Sequence, residues 1–203
     1  MNTAIPAIFV ADAPGLDFLN SIATPVDTPV DWIGNGAGLV AWLRQAQMVP
    51  GEMLDRIEET STPQALDSVA AQARELREWL RRFVLKHKGR PLRVGDGQEL
   101  EPVNALLRQD QSYFQLVVGK EGVRMDAQRR WPSADSLLIP IAETIARLIS
   151  EEDFTHIKAC EGHLCTLMFA DHTRARGRRW CSMGLCGNRA KVSAHRRRQQ
   201  AAQ

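Results

Sequence analysis

Apolar residues recur at intervals of three and four along most of this chain, and at intervals of two over one stretch past its middle. The clearest helical signal follows Thr62-Pro63, a capping residue and a proline at the first helical position. Beyond it Leu66, Val69, Ala70, Ala73, Leu76, Leu80, Phe83 and Val84 fall on one face. Leu39, Val40, Leu43 and Ala46, with Trp42 beside them, predict a helix from Asp31 to about Gln47. A short helix fits 98–109 around Leu100, Val103 and Leu107. Another runs from Ser136 to Glu151 through Ile141, Ile145, Leu148 and Ile149, with Pro140 tolerated near its start. Between these two the period changes. Phe114, Leu116 and Val118 alternate with smaller or polar residues, Gly119-Lys120-Glu121-Gly122 turns, and Val123, Met125 and Ala127 alternate with Arg124, Asp126 and Gln128. That is a β-hairpin with one wet face. Residues 86–97 read as an exposed loop. Short strands at 155–159 and 166–170 and a last helix, Arg189 to about Gln199 behind an Asn188 cap, complete the pattern.

The fold class is therefore α+β: a mostly helical body with a β-hairpin, then a small metal-binding module of short strands and a basic carboxyl-terminal helix. At 203 residues and 44% hydrophobic content the chain can bury a core of its own. The expected division is a domain over 1–153 and a module over 154–203. No apolar run approaches the length of a membrane span. The amino terminus has no basic residue before Arg44, and Pro6 and Asp12 break its apolar stretch, which argues against a secretory signal and for a cytoplasmic, reducing setting.

The four cysteines fall in the last quarter as Cys160/Cys165 and Cys181/Cys186, with four residues inside each pair and fifteen between the pairs. Two local clips of this kind can aim four sulfurs at one tetrahedral ion. A reducing setting favours metal over disulfides, and the expectation is one structural zinc per chain; an iron–sulfur cluster, disulfides and free thiols stay open as alternatives. Gly162 supplies the turn of the first clip, while Gly184 and Gly187 let backbone amides approach the thiolates. His163 and His172 lie near the clips, but four thiolates suffice and both histidines are read as solvated. For so small a segment, metal-binding energy is folding energy.

Charge adds a partner. From His172 onward there are nine Lys or Arg and no Asp or Glu, so the formal net charge of +2 is a tail of +9 on a body of −7. Offsetting the −2 of a zinc tetrathiolate would use only about two or three of those cations. A single-sign block this dense is a footprint for polyphosphate, and double-stranded DNA is the expected partner. Arg178 and Arg179 beside Trp180 could meet phosphate and stack on a base, although Trp180 equally serves as the apolar plug of a small module. Asn188 could read a base edge or cap the helix. Arg189, Lys191, Arg196, Arg197 and Arg198 are candidates for backbone phosphates, with Lys191, His195 and Arg198 on one helix face and Arg189, Val192 and Arg196 on another. Asp171 is placed to orient Arg178 or Arg179 through an ion pair. An acidic protein partner for an adaptor, an RNA, or a redox role for an iron–sulfur cluster are the competing readings.

The run Arg178-Arg179-Trp180-Cys181-Ser182-Met183, then Cys186-Gly187-Asn188-Arg189-Ala190-Lys191, with an upstream Cys-x4-Cys and Phe169-Ala170-Asp171, resembles the CGNR zinc-finger family over about 157–198. Leu16-Asp17-Phe18-Leu19-Asn20-Ser21 resembles the opening Leu-Asp-Phe-x-Asn-Thr of the ABATE domain usually attached to that finger, with Ser21 in place of threonine; Trp42-Leu43 resembles its next signature. The resemblance implies a bacterial, stress-induced transcription regulator with a zinc-binding carboxyl end. Its amino-terminal domain would sense a small molecule or protein signal or form a homodimer. No phosphate-binding glycine loop, nucleophile elbow or His-Glu-x-x-His occurs. A complete tetrathiolate leaves no open position for metal-bound water, and no enzyme is expected. Asp17 and Asn20, in apolar surroundings, read as backbone caps rather than a pocket.

Overall fold

The computed structural model describes residues 6–24, 28–93, 95, 97–120 and 122–201, with side chains beyond Ser193 described only for Gln199. Helix α1 (Pro14–Leu19) opens on its proline. The antiparallel pair β1 (Ile22–Ala23) and β2 (Val30–Asp31) follows. Helix α2 (Gly36–Gln45) starts later than expected, behind Asn35, whose side chain accepts from the Gly38 amide at 2.8 Å. Asp31 cannot begin a helix because it is engaged elsewhere. It pairs in β2 and takes a bidentate ion pair, 2.8 and 2.9 Å, from the buried Arg77. Helix α3 (Gly51–Thr60) was not anticipated; it buries only Leu54 and Ile57, too few for a periodicity to register.

Helix α4 (Pro63–His87) follows its predicted face, and Thr62 Oγ1 accepts from the Ala65 amide at 3.2 Å. A 3-10 turn at Gly97–Leu100 leads into α5 (Glu101–Leu107), and another at Ala134–Leu137 into α6 (Leu138–Glu151). Between them lies the hairpin of β3 (Ser112–Gly119) and β4 (Gly122–Arg129), in register as Phe114–Ala127, Leu116–Met125 and Val118–Val123. A 3-10 turn at Phe154–His156 precedes the antiparallel pair β5 (Ile157–Ala159) and β6 (Met168–Ala170). A π-helical turn, Met183–Gly187, runs without a break into α7 (Asn188–Ala201).

Helices α1, α2, α4 and α6 enclose Leu16, Phe18, Trp42, Leu80 and Ile141, each no more than 1% exposed. Burying a side chain of this size contributes about 1.5–3 kcal/mol. Helix α1 meets α6 at Gly15, where a Cβ would stand 2.7 Å from the Thr144 carbonyl oxygen, so only glycine allows the approach. The core continues without a seam into Phe154, Leu167, Phe169, Cys181 and Cys186. Two tethers reinforce that continuity. Asn20 Nδ2 donates to the Met168 carbonyl at 2.8 Å and its Oδ1 accepts from the Met168 amide at 3.0 Å, while the Ala170 amide donates to the Ala11 carbonyl at 2.8 Å. Residues on either side of 153 thus contribute to one core.

The hairpin departs from expectation in one respect. It has no dry face: Phe114, Leu116, Val118, Val123 and Met125 are 64 to 83% exposed. The two strands form a separate two-stranded sheet, and among the described residues nothing covers their apolar side. Among the described residues, no helix is long and apolar enough to cross a membrane.

Candidate metal centre

The four cysteines converge because three separate backbone devices aim them. Cys160 follows β5, and its amide donates to the Leu167 carbonyl at 2.9 Å, closing the β5–β6 hairpin around the first clip. Cys165 lies inside that loop, its amide donating to Gly162 O at 3.1 Å. The residue that takes the left-handed conformation there is Leu164, at φ 62°, not Gly162. Gly162 is needed for another reason: a Cβ there would stand 2.7 Å from Cys186 Sγ. The second clip docks beside the first through the Glu161 amide, which donates to the Arg179 carbonyl at 2.9 Å. Cys186 then sits in the π-helical turn, where Ser182 Oγ accepts from the Leu185 amide at 3.0 Å. Ser182, not Asn188, caps this helix. Asn188 lies one turn further in, its amide already donating to the Met183 carbonyl, so no orphan amide is left for its side chain to serve.

All four Sγ atoms lie within 4.8 Å of one another; Cys165–Cys181 measures 4.0 Å and Cys181–Cys186 3.6 Å. Four sulfurs at about 2.3 Å from one tetrahedral ion are separated by about 3.8 Å, so the donor set fits a single zinc. A cluster of several irons would spread its thiolates wider, and a disulfide needs sulfurs at about 2.05 Å. Three donors face the sulfurs: the Gly162 and Cys181 amides reach Cys160 Sγ at 3.4 and 3.2 Å, and Arg189 Nη2 reaches Cys186 Sγ at 3.2 Å. Such contacts stabilise a negative thiolate cluster. The thiols also divide one proton set among themselves. Cys165 is pulled down to about 5 by the neighbouring Cys181 S–H, whereas burial pushes Cys186 up to about 11 and the contact with Cys165 raises Cys181. A divalent cation removes that conflict, and its binding would release protons. His163 is exposed and His172 bonds Glu152 at 2.8 Å; neither joins the cluster.

The arginines beside the second clip differ sharply. Arg178 turns inward: its guanidinium donates to the Trp180 carbonyl (3.0 Å), the Asp12 carboxylate (2.6 Å), the Val10 carbonyl (2.7 Å) and the Cys181 carbonyl, and stacks 4.2 Å over Phe169. Arg179 is exposed, pairing with Glu161 at 2.6 Å and lying 5.1 Å over the Trp180 ring, which itself packs against the core. Asp171 makes no ion pair with either arginine. Fully buried, it needs several donors, and takes the Arg178 amide (2.9 Å), the Lys158 ammonium (2.7 Å), and the Thr173 amide and hydroxyl. Burial alone would raise its pKa; these donors together hold it well below the usual carboxylate range. Arg189 and Lys191 are on the exposed side of α7, whereas the side chains of Arg196, Arg197 and Arg198 lie outside the described residues.

Asn20, Ser182 and Lys158 were not recognised from the chain as parts of this site. Ser182 is a capping residue type ahead of the final helix, which a search for caps could have found. Asp17 behaves as a backbone cap, accepting from the Val10 and Ala11 amides, both at 3.0 Å. Burial, against those two bonds, pushes its pKa up to about 6.

Residues 12–152 match the ABATE family, described as "Putative stress-induced transcription regulator", and residues 156–199 match the CGNR zinc finger. No curated protein matches the chain.

Proposed function

Since this chain belongs to the ABATE family and carries a CGNR zinc finger at its carboxyl end, we propose that it is a transcription regulator that binds double-stranded DNA. Zinc held by Cys160, Cys165, Cys181 and Cys186 would fix the root of α7, and α7 would lie against the phosphate backbone. The observation that carries the reading is the junction at Cys186. A cysteine of the cluster stands in the turn that becomes the basic helix, so the site that binds metal also orients the cations. Arg189, Lys191, Arg196, Arg197 and Arg198 supply phosphate contacts in this proposal. Arg179 and Asn188, both exposed, are the candidates for contact with bases. Arg178 belongs to the same surface but acts by holding it in place, since its guanidinium is committed to the protein. Zinc here is structural: four thiolates leave it no site for substrate.

Salt dependence tests the proposal. Each phosphate neutralised on duplex DNA contributes about −0.9 to the log–log slope of affinity against salt. Replacing Arg196, Arg197 and Arg198 together by Ala is expected to flatten that slope by about two or three, with zinc content unchanged. Fluorescence anisotropy with pooled genomic DNA reads it out. Absence of binding at low salt, with retention of a particular acidic protein instead, would overturn DNA in favour of the adaptor role.

A further inference from the structure

From the β3–β4 hairpin we infer that it is a self-association surface, whose apolar face packs against the same face of a second copy of this chain. The inference is independent of what α7 binds. Cross-strand register places Phe114, Leu116, Val118, Val123, Met125 and Ala127 on one side of the two-stranded sheet. All six are exposed, and the five larger ones keep between 64 and 83% of their surface open to water. An apolar face so large and continuous on one element is more than scattered surface hydrophobicity.

Three features select a second copy as the occupant. The first is charge. None of the six positions is ionisable, so an isologous interface, which sets a patch against itself, brings no like charges together. Arg124 and Asp126 pair at 2.8 Å on the other face, and Arg129, next beyond Ala127 on this one, is half-buried and committed to Asp110 and Glu143. A nucleic acid or a charged peptide would find nothing to recognise here. The second is shape. Side-chain size falls from Phe114 at the base of β3 to Val118 and Val123 at the tip, and across the ladder to Ala127. A two-fold axis in the plane of the interface, whether along or across the strands, sets Phe114 over a small residue of the other copy. The third is area. Five side chains each offering about 100 Å² give about 500 Å² per copy, and both copies together about 1,000 Å², the lower bound for a specific interface. That size fits a dimer with a dissociation constant of micromolar order rather than an obligate one.

The test is sedimentation of the zinc-loaded 203-residue chain over a range of concentrations. A reversible monomer–dimer equilibrium is expected. Leu116→Glu alone, and Leu116→Lys alone, should weaken it at least tenfold, because a charge is then buried at the centre of the patch, against its own copy under one two-fold and against Met125 under the other. Mixing Leu116→Glu with either Leu116→Lys or Met125→Lys should restore a heterodimer, according to which two-fold applies. Val118→Lys, at the most exposed position of the face, provides a second variant that spares the fold. A protein monomeric at high concentration, or a dimer indifferent to all these substitutions, would overturn the inference. So would a monomer that uses this face only to retain a different protein.

Discussion

Replacing Asn20 by Ala removes both hydrogen bonds that tie α1 to β6. Asn20 is 1% exposed, and its amide satisfies the Met168 carbonyl at 2.8 Å and the Met168 N–H at 3.0 Å. After the change these two backbone groups have no partner in a place closed to water. Each abandoned buried group costs about 1–3 kcal/mol, so the variant should lose about 2–5 kcal/mol. In a chain of this length that is a fall in melting temperature of roughly 5–15 °C. Urea unfolding of the zinc-loaded protein, followed by far-ultraviolet circular dichroism, measures it directly. Asn20→Asp supplies a control. Its carboxylate still accepts from the Met168 amide but opposes the Met168 carbonyl, so it should be at least as damaging at neutral pH and partly recover once protonated. A loss below about 1 kcal/mol for Asn20→Ala would refute the assignment of this clamp as a principal tether, since even one orphaned group should exceed it.

A Cβ at Gly162 would come within 2.7 Å of Cys186 Sγ and 3.0 Å of its Cβ. Gly162→Ala is therefore expected to weaken zinc binding by about 10–100-fold in competition with a chromophoric chelator; unchanged affinity would show that the clip yields. Stripping zinc from the wild-type protein should lower the melting of α4 and α6 together with the finger, because the cysteines share their core. A body transition indifferent to chelation would mean that the parts fold separately. Asp17 has its pKa raised from 3.8 to about 6, so the folded state holds that proton more tightly than the unfolded chain. Its contribution is full below about pH 4 and is lost as pH rises to about 6, by up to about 3 kcal/mol. Asp17→Asn keeps an oxygen for the Val10 and Ala11 amides and should flatten stability across that window; an unaltered profile would count against burial as the cause.

What the chain disclosed by itself was whatever repeats locally. Helix α4 carries its apolar face at helical spacing with a Thr-Pro start, and β3–β4 alternate around a glycine-flanked turn, so both were legible. The cysteine spacing likewise pointed to a cluster that the fold does assemble. What escaped depends on partners distant in sequence or on space. Asn20 reads as a local cap until Met168, 148 residues away, is brought beside it. Gly162 reads as a turn glycine, although its need comes from the sulfur of Cys186. Arg178 and Arg179 are adjacent and chemically alike, yet one is bolted to residues 10–12 and the other faces solvent. Alternation in the hairpin gave the right strands but could not tell a buried face from an uncovered one.

Helix α7 behaves mechanically as a lever whose fulcrum is the sulfur cluster. From Cys186 to Ala201 the rise is about 22 Å, so a rotation of about 5° at the root swings the far end through about 2 Å. Its described side chains are exposed or half-exposed. Its heading is set by bond angles among a few atoms around Cys186 and by the Arg189 contact to that sulfur. A larger ion with longer metal–sulfur bonds would leave the cluster almost unchanged to the eye while re-aiming the tip by a distance comparable to a hydrogen bond.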